Sequence, residues 1–438
     1  LFAGFRLATH ESPVDERHLE AKQRYLASVE ARARPNLVLI VFDDLGWGDL
    51  GAYGSRAIAT PRLDRLASEG VRLTQYYTPA PVCTPSRAGL LTGRYPPRTG
   101  MVEVTFPRGS PIDLLMRIGH VPTGMPVDEI LLPEVLRAAG YATGMVGKWH
   151  LGGRSPSRPT DLGFDSYFGL LFSNDMKPVP LWRDREIEEP HPVDQSTLTE
   201  RYTDEAIAFL EKNHDSPFFL YLAHTFPHIP LFPSAAHRGE SEAGIYGDVV
   251  EDLDRSTGRL LDALARLGLE EDTLVLVTSD NGPWFQGSPG IVRGRKSESF
   301  VGGPRVPFIA RWPGRIPAGG VVGEPVGGID VLPTVLRLTG LAPPEDRVLD
   351  GRDVWPVLAE GAPSPHQGLY FYRGARLEAV RVGHHKAHAR HPVLGGLLPI
   401  AALFWKGPVS YTHLRAHETT SLISYAVFCL KKGGGGGG

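Results

Sequence analysis

Three stretches of this 438-residue chain are apolar at almost every position and rich in β-branched or aromatic residues, and each runs straight into polar side chains that can do chemistry. Residues 37–42 end in Asp43-Asp44, residues 217–222 in the His224 to His228 segment, and residues 273–279 in Asp280-Asn281. A run with no polar alternation suits a strand buried on both faces, the mark of a parallel sheet covered by helices. A fourth apolar segment, 141–146, delivers Lys148-Trp149-His150. Between these runs, apolar residues recur at helical spacing over 132–139, 199–212 and 246–267. Strands alternating with helices predict an α/β fold with a large mixed, mainly parallel sheet, and ligands bind at the carboxyl ends of such strands.

Around that core the chain divides into four parts. Residues 1–35 read as an N-terminal extension with one helix over 13–34, and 36–364 as the catalytic α/β domain. Thr60-Pro61 opens a helix, Thr60 as its cap, that Gly70 closes, and 153–193 reads as an irregular excursion at the pocket mouth. Past a loop at 287–303, residues 306–310 read as a short strand and 330–338 as a helix. Short strands at 369–372 and 379–382 predict a small antiparallel C-terminal subdomain within 365–406, which looks incomplete. Residues 407–438 lose the pattern and run into Gly433 to Gly438, as a non-native or disordered tail would.

The formal net charge of −3 provides no field for nucleic acid or an anionic membrane, so neither is expected as a partner, and any anion site must be local. No stretch reaches membrane-spanning length. The two cysteines are Cys83 and Cys429, the latter in the tail, which gives no basis for a disulfide framework. No asparagine stands in an N-x-[ST] sequon, and a start at Leu1 fits either a removed signal peptide or a fragment.

Cys83 opens the stretch Cys83-Thr84-Pro85-Ser86-Arg87-Ala88-Gly89-Leu90-Leu91-Thr92-Gly93. Pro85 and Ser86 suit a first helical turn and Gly93 a helix end, which places Cys83 at a helix N-terminus. Unpaired backbone N–H groups there favour an anion, and Arg87 lies one turn on. Asp43, Asp44 and Asp280, with the amide of Asn281, fall at the ends of two core strands. If those strands are neighbours, each close carboxylate pair repels by about 4 kcal/mol at an effective dielectric near 20. A divalent cation removes that cost. The donors are all hard oxygens, so calcium or, less readily, magnesium suits them better than zinc.

The Cys83 stretch resembles the signature of the type I, formylglycine-dependent sulfatases, in which the cysteine of C-x-P-S-R becomes formylglycine and the segment continues into L-T-G-R, here through Arg94. The fold this implies is alkaline-phosphatase-like. The resemblance spans about 36–390, and Ser173-Asn174-Asp175 and His385-Lys386-Ala387-His388 are closest to the arylsulfatase A-like group. It implies metal ligation by Asp43, Asp44, Asp280, Asn281 and residue 83, with calcium bound. Lys148 and His150 fall on the family's K-W-H-L-G motif. His228, rather than His224, falls on its second active-site histidine. Lys296, with Arg293 and Arg295 as rivals, falls on its last sulfate-binding lysine, ahead of Gly302-Gly303-Pro304-Arg305-Val306-Pro307. Val301 stands where the family commonly has an acidic residue.

The activity implied is hydrolysis of aryl or sugar sulfate monoesters, with a maturation enzyme as partner and an exported, periplasmic or lysosomal setting. A hydroxyl of hydrated formylglycine attacks sulfur, His228 protonates the leaving alcohol, and His150 deprotonates the second hydroxyl to expel sulfate. Arg87 holds the diol, and Lys148 and Lys296 the sulfate oxygens. The alternatives are a phosphonate or phosphate monoester hydrolase of the same superfamily, a silent metal-binding homologue, and a cysteine hydrolase that would leave the acidic quartet without a use. His384, His385, His388 and His391 read as a polar strand edge rather than a transition-metal cluster.

Overall fold

A computed structural model describes residues 14–389; Cys429, His391, the last part of the small C-terminal subdomain and the glycine tail lie outside the described residues. The main sheet has ten strands among these residues, in the order β11 (Gly320–Val322), β2 (Val71–Leu73), β10 (Phe308–Arg311), β9 (Thr273–Ser279), β1 (Asn36–Phe42), β8 (Phe218–Ala223), β4 (Ala142–Gly147), β5 (Ser166–Gly169), β6 (Leu181–Arg183) and β7 (Glu186–Glu189). The central block β9-β1-β8-β4-β5 is parallel throughout, while β10, β6 and β7 run antiparallel to their neighbours. A two-stranded sheet pairs β3 (Tyr76–Tyr77) with β12 (Val326–Gly327). A separate antiparallel sheet holds β13 (Leu369–Arg373), β14 (Arg376–Val382) and β15 (His385–His388). The mainly parallel sheet and the small antiparallel C-terminal sheet agree with the fold class read from the sequence.

The unbroken apolar runs have the expected cause. Leu37, Leu39 and Val41 of β1 point into one hydrophobic layer and Val38, Ile40 and Phe42 into the other. The first layer is covered by α3 (Cys83–Thr92), α6 (Leu132–Ala138) and α9 (Val331–Thr339), the second by α2 (Pro61–Glu69), α7 (Leu198–Asn213) and α8 (Gly244–Arg266). Short helices α4 (Pro96–Thr99), α5 (Pro111–Ile118) and α10 (Trp355–Glu360) lie in the connections.

Several sequence expectations shift. The N-terminal helix α1 covers only Glu16–Ser28, and its Lys22 is buried against Glu134 of α6, with Nζ 2.6 Å from the carboxylate. Thr60 stands at the N-cap of α2 as expected, but its side chain accepts no N–H of that helix. Its hydroxyl donates to Asp64 Oδ1, while the N–H groups of Arg62 and Leu63 donate to Asp254 of α8, which caps the helix from outside. The 153–193 segment contributes β5, β6 and β7 to the main sheet rather than remaining irregular, because Tyr167 and Phe168 bury against the two layers. The strand expected at 306–310 forms over Phe308–Arg311.

Candidate active site

Adjacent strands bring the distant polar clusters together. In the parallel pair β1–β9, Phe42 lies opposite Ser279, so Asp43-Asp44 and Asp280-Asn281 emerge side by side. On the other flank of β1, β8 delivers the His224 to His228 segment, and beyond it β4 delivers Lys148 and His150. Gly147, at φ 106°, permits the β4–β8 approach, since a Cβ there would sit 1.8 Å from the carbonyl oxygen of Ala223. Cys83 begins α3 with its Sγ 3.7 Å from Asp43 Oδ1, as expected for a residue at the helix N-terminus.

All the predicted site residues gather here. Lys148 Nζ lies 2.5 Å from Asp43 Oδ2 and 3.1 Å from Ser173 Oγ. Lys296 Nζ lies 2.7 and 2.9 Å from the two oxygens of Asp44. Arg87 donates from Nε to Asp280 Oδ2 at 2.9 Å and from a terminal nitrogen to the Lys148 carbonyl at 2.6 Å. His228 Nε2 is 3.8 Å from Asp44 Oδ2, and its Nδ1 is 2.6 Å from the Ile229 carbonyl. His150 Nε2 is 3.0 Å from the Thr105 carbonyl, which makes that nitrogen the N–H donor and leaves buried Nδ1 without a partner. His150 and Asp44 both hold φ in the left-handed region, at 60° and 69°, as does Ser297 beside Lys296 at 70°. Such backbone strain persists only where surrounding structure imposes it.

The rivals lie elsewhere. His224 is buried on the α8 side, stacked on Phe42 and 3.3 Å from Ser256 Oγ. Arg293 lies over the Phe300 ring, and Arg295 donates to the carbonyls of Trp284 and Gly287. His384 and His385 are exposed at the edge of the small sheet, and His388 packs on Phe300.

Opposed charges govern the electrostatics. Burial pushes the Asp43 carboxyl up, but Lys148, His228 and Arg87 outweigh it and hold the group below the usual range. Burial and the Asp43 charge raise Asp280. Burial opposes the charges on Lys148 and Lys296, yet Asp43 and Asp44 respectively keep both more basic than an ordinary lysine. Burial, then Lys148, keeps His150 neutral, and burial, then Lys296, lowers His228. Burial also pushes the Cys83 thiol up to about 12, a poor setting for a thiolate nucleophile.

The residues present fit a hard cation. Asp43, Cys83 and Asp280, and likewise Asp44, Cys83 and His228, offer ligand atoms within 4.8 Å of one another. Asn281 Oδ1 is buried with no hydrogen-bond partner, an oxygen aimed at nothing in the protein. Buried polar atoms are rarely left so.

Sequence reasoning did not assign Ser173, Asn174 or Thr105 to the site. Ser173 Oγ bridges Lys148 and His228 Nε2, the latter at 3.4 Å, and Asn174 Oδ1 is 3.1 Å from His228 Nδ1. The signal was there, since Ser173-Asn174 follows the apolar run 167–172 as the other polar clusters follow theirs. Lys296 lies against Asp44 although Val301 departs from the family pattern, and Ser299 Oγ in the same loop donates to Glu378 of β14 at 2.7 Å, tying the loop to the small sheet.

A family model described as Sulfatase matches residues 35–341. N-acetylgalactosamine-6-sulfatase of Mus musculus is 41% identical over 386 residues, covering 83% of this chain and 73% of the relative. Steryl-sulfatase of Homo sapiens is 36% identical over 443 residues, covering 81% and 75%. Among solved structures, Ps i-CgsB in complex with k-i-k-neocarrahexaose superposes with a TM-score of 0.72 at 31% identity, covering 81% of this chain and 84% of the other.

Proposed function

This chain belongs to the sulfatase family and is a sulfuric ester hydrolase, and we propose that it works through formylglycine formed from Cys83, with calcium held by Asp43, Asp44, Asp280, Asn281 and residue 83. The observation that carries this reading is the meeting of that acidic quartet with the start of α3, inside a ring of Arg87, Lys148 and Lys296. When present, calcium supplies Lewis acidity toward sulfate and residue 83, and hydrated formylglycine supplies a nucleophilic hydroxyl.

The chain's own groups have separable tasks. Lys148 and Lys296 meet the negative oxygens of the sulfate group, and with Arg87 they leave surplus positive charge for the charge that develops on the leaving oxygen. His228 Nδ1–H donates to the Ile229 carbonyl, which fixes the ring and turns Nε2 toward the site; with the ring doubly protonated, Nε2–H passes its proton to the departing alcohol oxygen and leaves neutral imidazole. His150 is oriented by the Thr105 carbonyl, so its unpartnered Nδ1 is the acceptor for the proton lost from residue 83 when sulfate leaves. Thr84 Oγ1 donates to the His150 carbonyl at 2.8 Å and ties the start of α3 to that base.

The substrate we propose is a saccharide sulfate, supported by a relative named N-acetylgalactosamine-6-sulfatase and by the structure of Ps i-CgsB in complex with k-i-k-neocarrahexaose. Cys83 is only 2% exposed, so a maturation enzyme must reach it before the domain closes. The test is a steady-state comparison of matured protein on 4-nitrophenyl sulfate and on a 4-nitrophenyl phosphonate ester, each with and without calcium. Calcium-dependent turnover favouring the sulfate supports this reading. Preference for the phosphonate assigns the chain to the other monoester chemistry.

A further inference from the structure

Beside His150 the surface opens into a cleft of about 240 Å³ whose walls come from segments on either side of that residue. Phe172, in one wall, packs edge-on against the His150 imidazole with ring centroids 6.3 Å apart. Phe106, which also lines the cleft, directly follows Thr105, whose carbonyl holds the same imidazole. The cleft therefore borders the site, separated from the buried His150 imidazole by Phe172 and the Thr105-Phe106 backbone.

Its charge is one-sided. Arg108, Arg117 and Arg154 line it against a single carboxylate, Asp113. That carboxylate is already engaged, accepting the Gly109 N–H at 3.1 Å and pairing with Arg117 at 3.0 Å. Among the described residues, neither Arg108 nor Arg154 has an acidic partner, and the buried Nε of Arg117 has no hydrogen-bond partner. Guanidinium groups present planar forks that match carboxylate and sulfate oxygens, and flanking aromatic faces suit the apolar face of a sugar ring.

We propose that this cleft holds a second acidic group, a carboxylate or a further sulfate ester, on the saccharide whose ester is cleaved at residue 83. The substrate class is then a polyanionic oligosaccharide, and Arg108, Arg117 and Arg154 determine specificity. This rests on the sulfatase reading above.

The experiment compares kcat/KM of the matured wild type, Arg154→Ala, Arg108→Ala and Arg154→Lys on three disaccharides. One carries a single sulfate, one a sulfate and a carboxylate, and one two sulfates. The expected result is a wild-type preference for the dianionic substrates, which falls about tenfold in each alanine variant through KM and is partly kept by lysine. Which dianion loses more identifies the second group. Equal wild-type activity on all three, or an equal loss on all three in the variants, overturns the proposal. A second arm measures calorimetric binding of a disaccharide with a carboxylate and no sulfate. Wild-type binding that Arg154→Ala weakens supports the cleft even if no sulfate ester is cleaved, and absence of binding counts against it even if 4-nitrophenyl sulfate turns over.

Discussion

Lys148 Nζ and Asp43 Oδ2 are 2.5 Å apart, and neither side chain is exposed to solvent. In a pair this deeply buried, removing one member leaves the other uncompensated, at a cost of about 3–5 kcal/mol. Lys148→Met is therefore expected to lose roughly that much stability in urea titrations run with a chelator, and less with saturating calcium, because the metal then neutralises Asp43. An equal loss in both conditions would place Asp43 outside the metal site. The same variant is expected to lose about 100- to 1,000-fold in kcat on 4-nitrophenyl sulfate, as for other preorganised electrostatic groups.

Metal removal follows from the same carboxylates. Chelation is expected to abolish turnover and lower Tm, and calcium at about 100 times its Kd is expected to restore about 2.7 kcal/mol. Magnesium should restore less, since its demand for regular octahedral geometry matches this irregular donor set poorly. Asn281→Leu removes the buried oxygen that has no protein partner, so its Tm should respond far less to calcium than that of the wild type. Differential scanning fluorimetry with each ion in turn reads both effects.

Asp49 gives a stability prediction with a definite sign. Its buried carboxylate accepts the Tyr246 hydroxyl at 2.6 Å and the N–H groups of Gly46 and Ser288 at 2.7 and 2.8 Å, joining the loop after β1 to the loop that carries Lys296. Burial pushes its carboxyl up to about 6, against those hydrogen bonds and Arg295. The folded state thus binds this proton more readily than the unfolded chain. Stability from this group is fully present below about pH 4 and is lost as pH rises to about 6, by about 3 kcal/mol in all. Asp49→Asn should flatten that part of the profile in urea titrations between pH 4 and 7, whereas identical slopes in both proteins would contradict the assignment.

The loop bearing Lys296 depends on glycine packing. A Cβ on Gly303 would lie 1.8 Å from the backbone oxygen of Glu298, and the Gly303 carbonyl accepts the Gly282 N–H at 2.6 Å. Gly303→Ala must therefore shift the segment on which Lys296 sits. A displacement of about 1 Å in a positioning group costs about 100-fold, so kcat/KM on 4-nitrophenyl sulfate should fall by that order. Near wild-type kinetics would show that Lys296 does not depend on this contact.

What could be read beforehand depended on how strongly burial shaped the residues. β1, β8 and β9 are covered on both faces, so their central positions are apolar, and the polar clusters that end them were legible as a site. β6 and β7 sit at the sheet edge, short and half exposed, with Trp182, Arg183 and Glu186 to Glu189 giving no clear period. Asp254 and Asp49 act on backbone N–H groups 191 and 239 residues away, contacts that leave no local pattern. The cleft arginines were equally unreadable, since they converge only where the segment 105–127, with its short helix α5, meets the loop 152–157.

The central claim concerns the side chain at position 83, and the most direct measurement is the mass of the proteolytic peptide containing it. The sample should be enzyme active on 4-nitrophenyl sulfate, produced together with a formylglycine-generating enzyme. The account predicts a peptide lighter than the encoded one by the difference between a thiol-bearing methylene and an aldehyde, with activity proportional to the converted fraction. An active enzyme whose peptide retains the intact Cys83 thiol would contradict it.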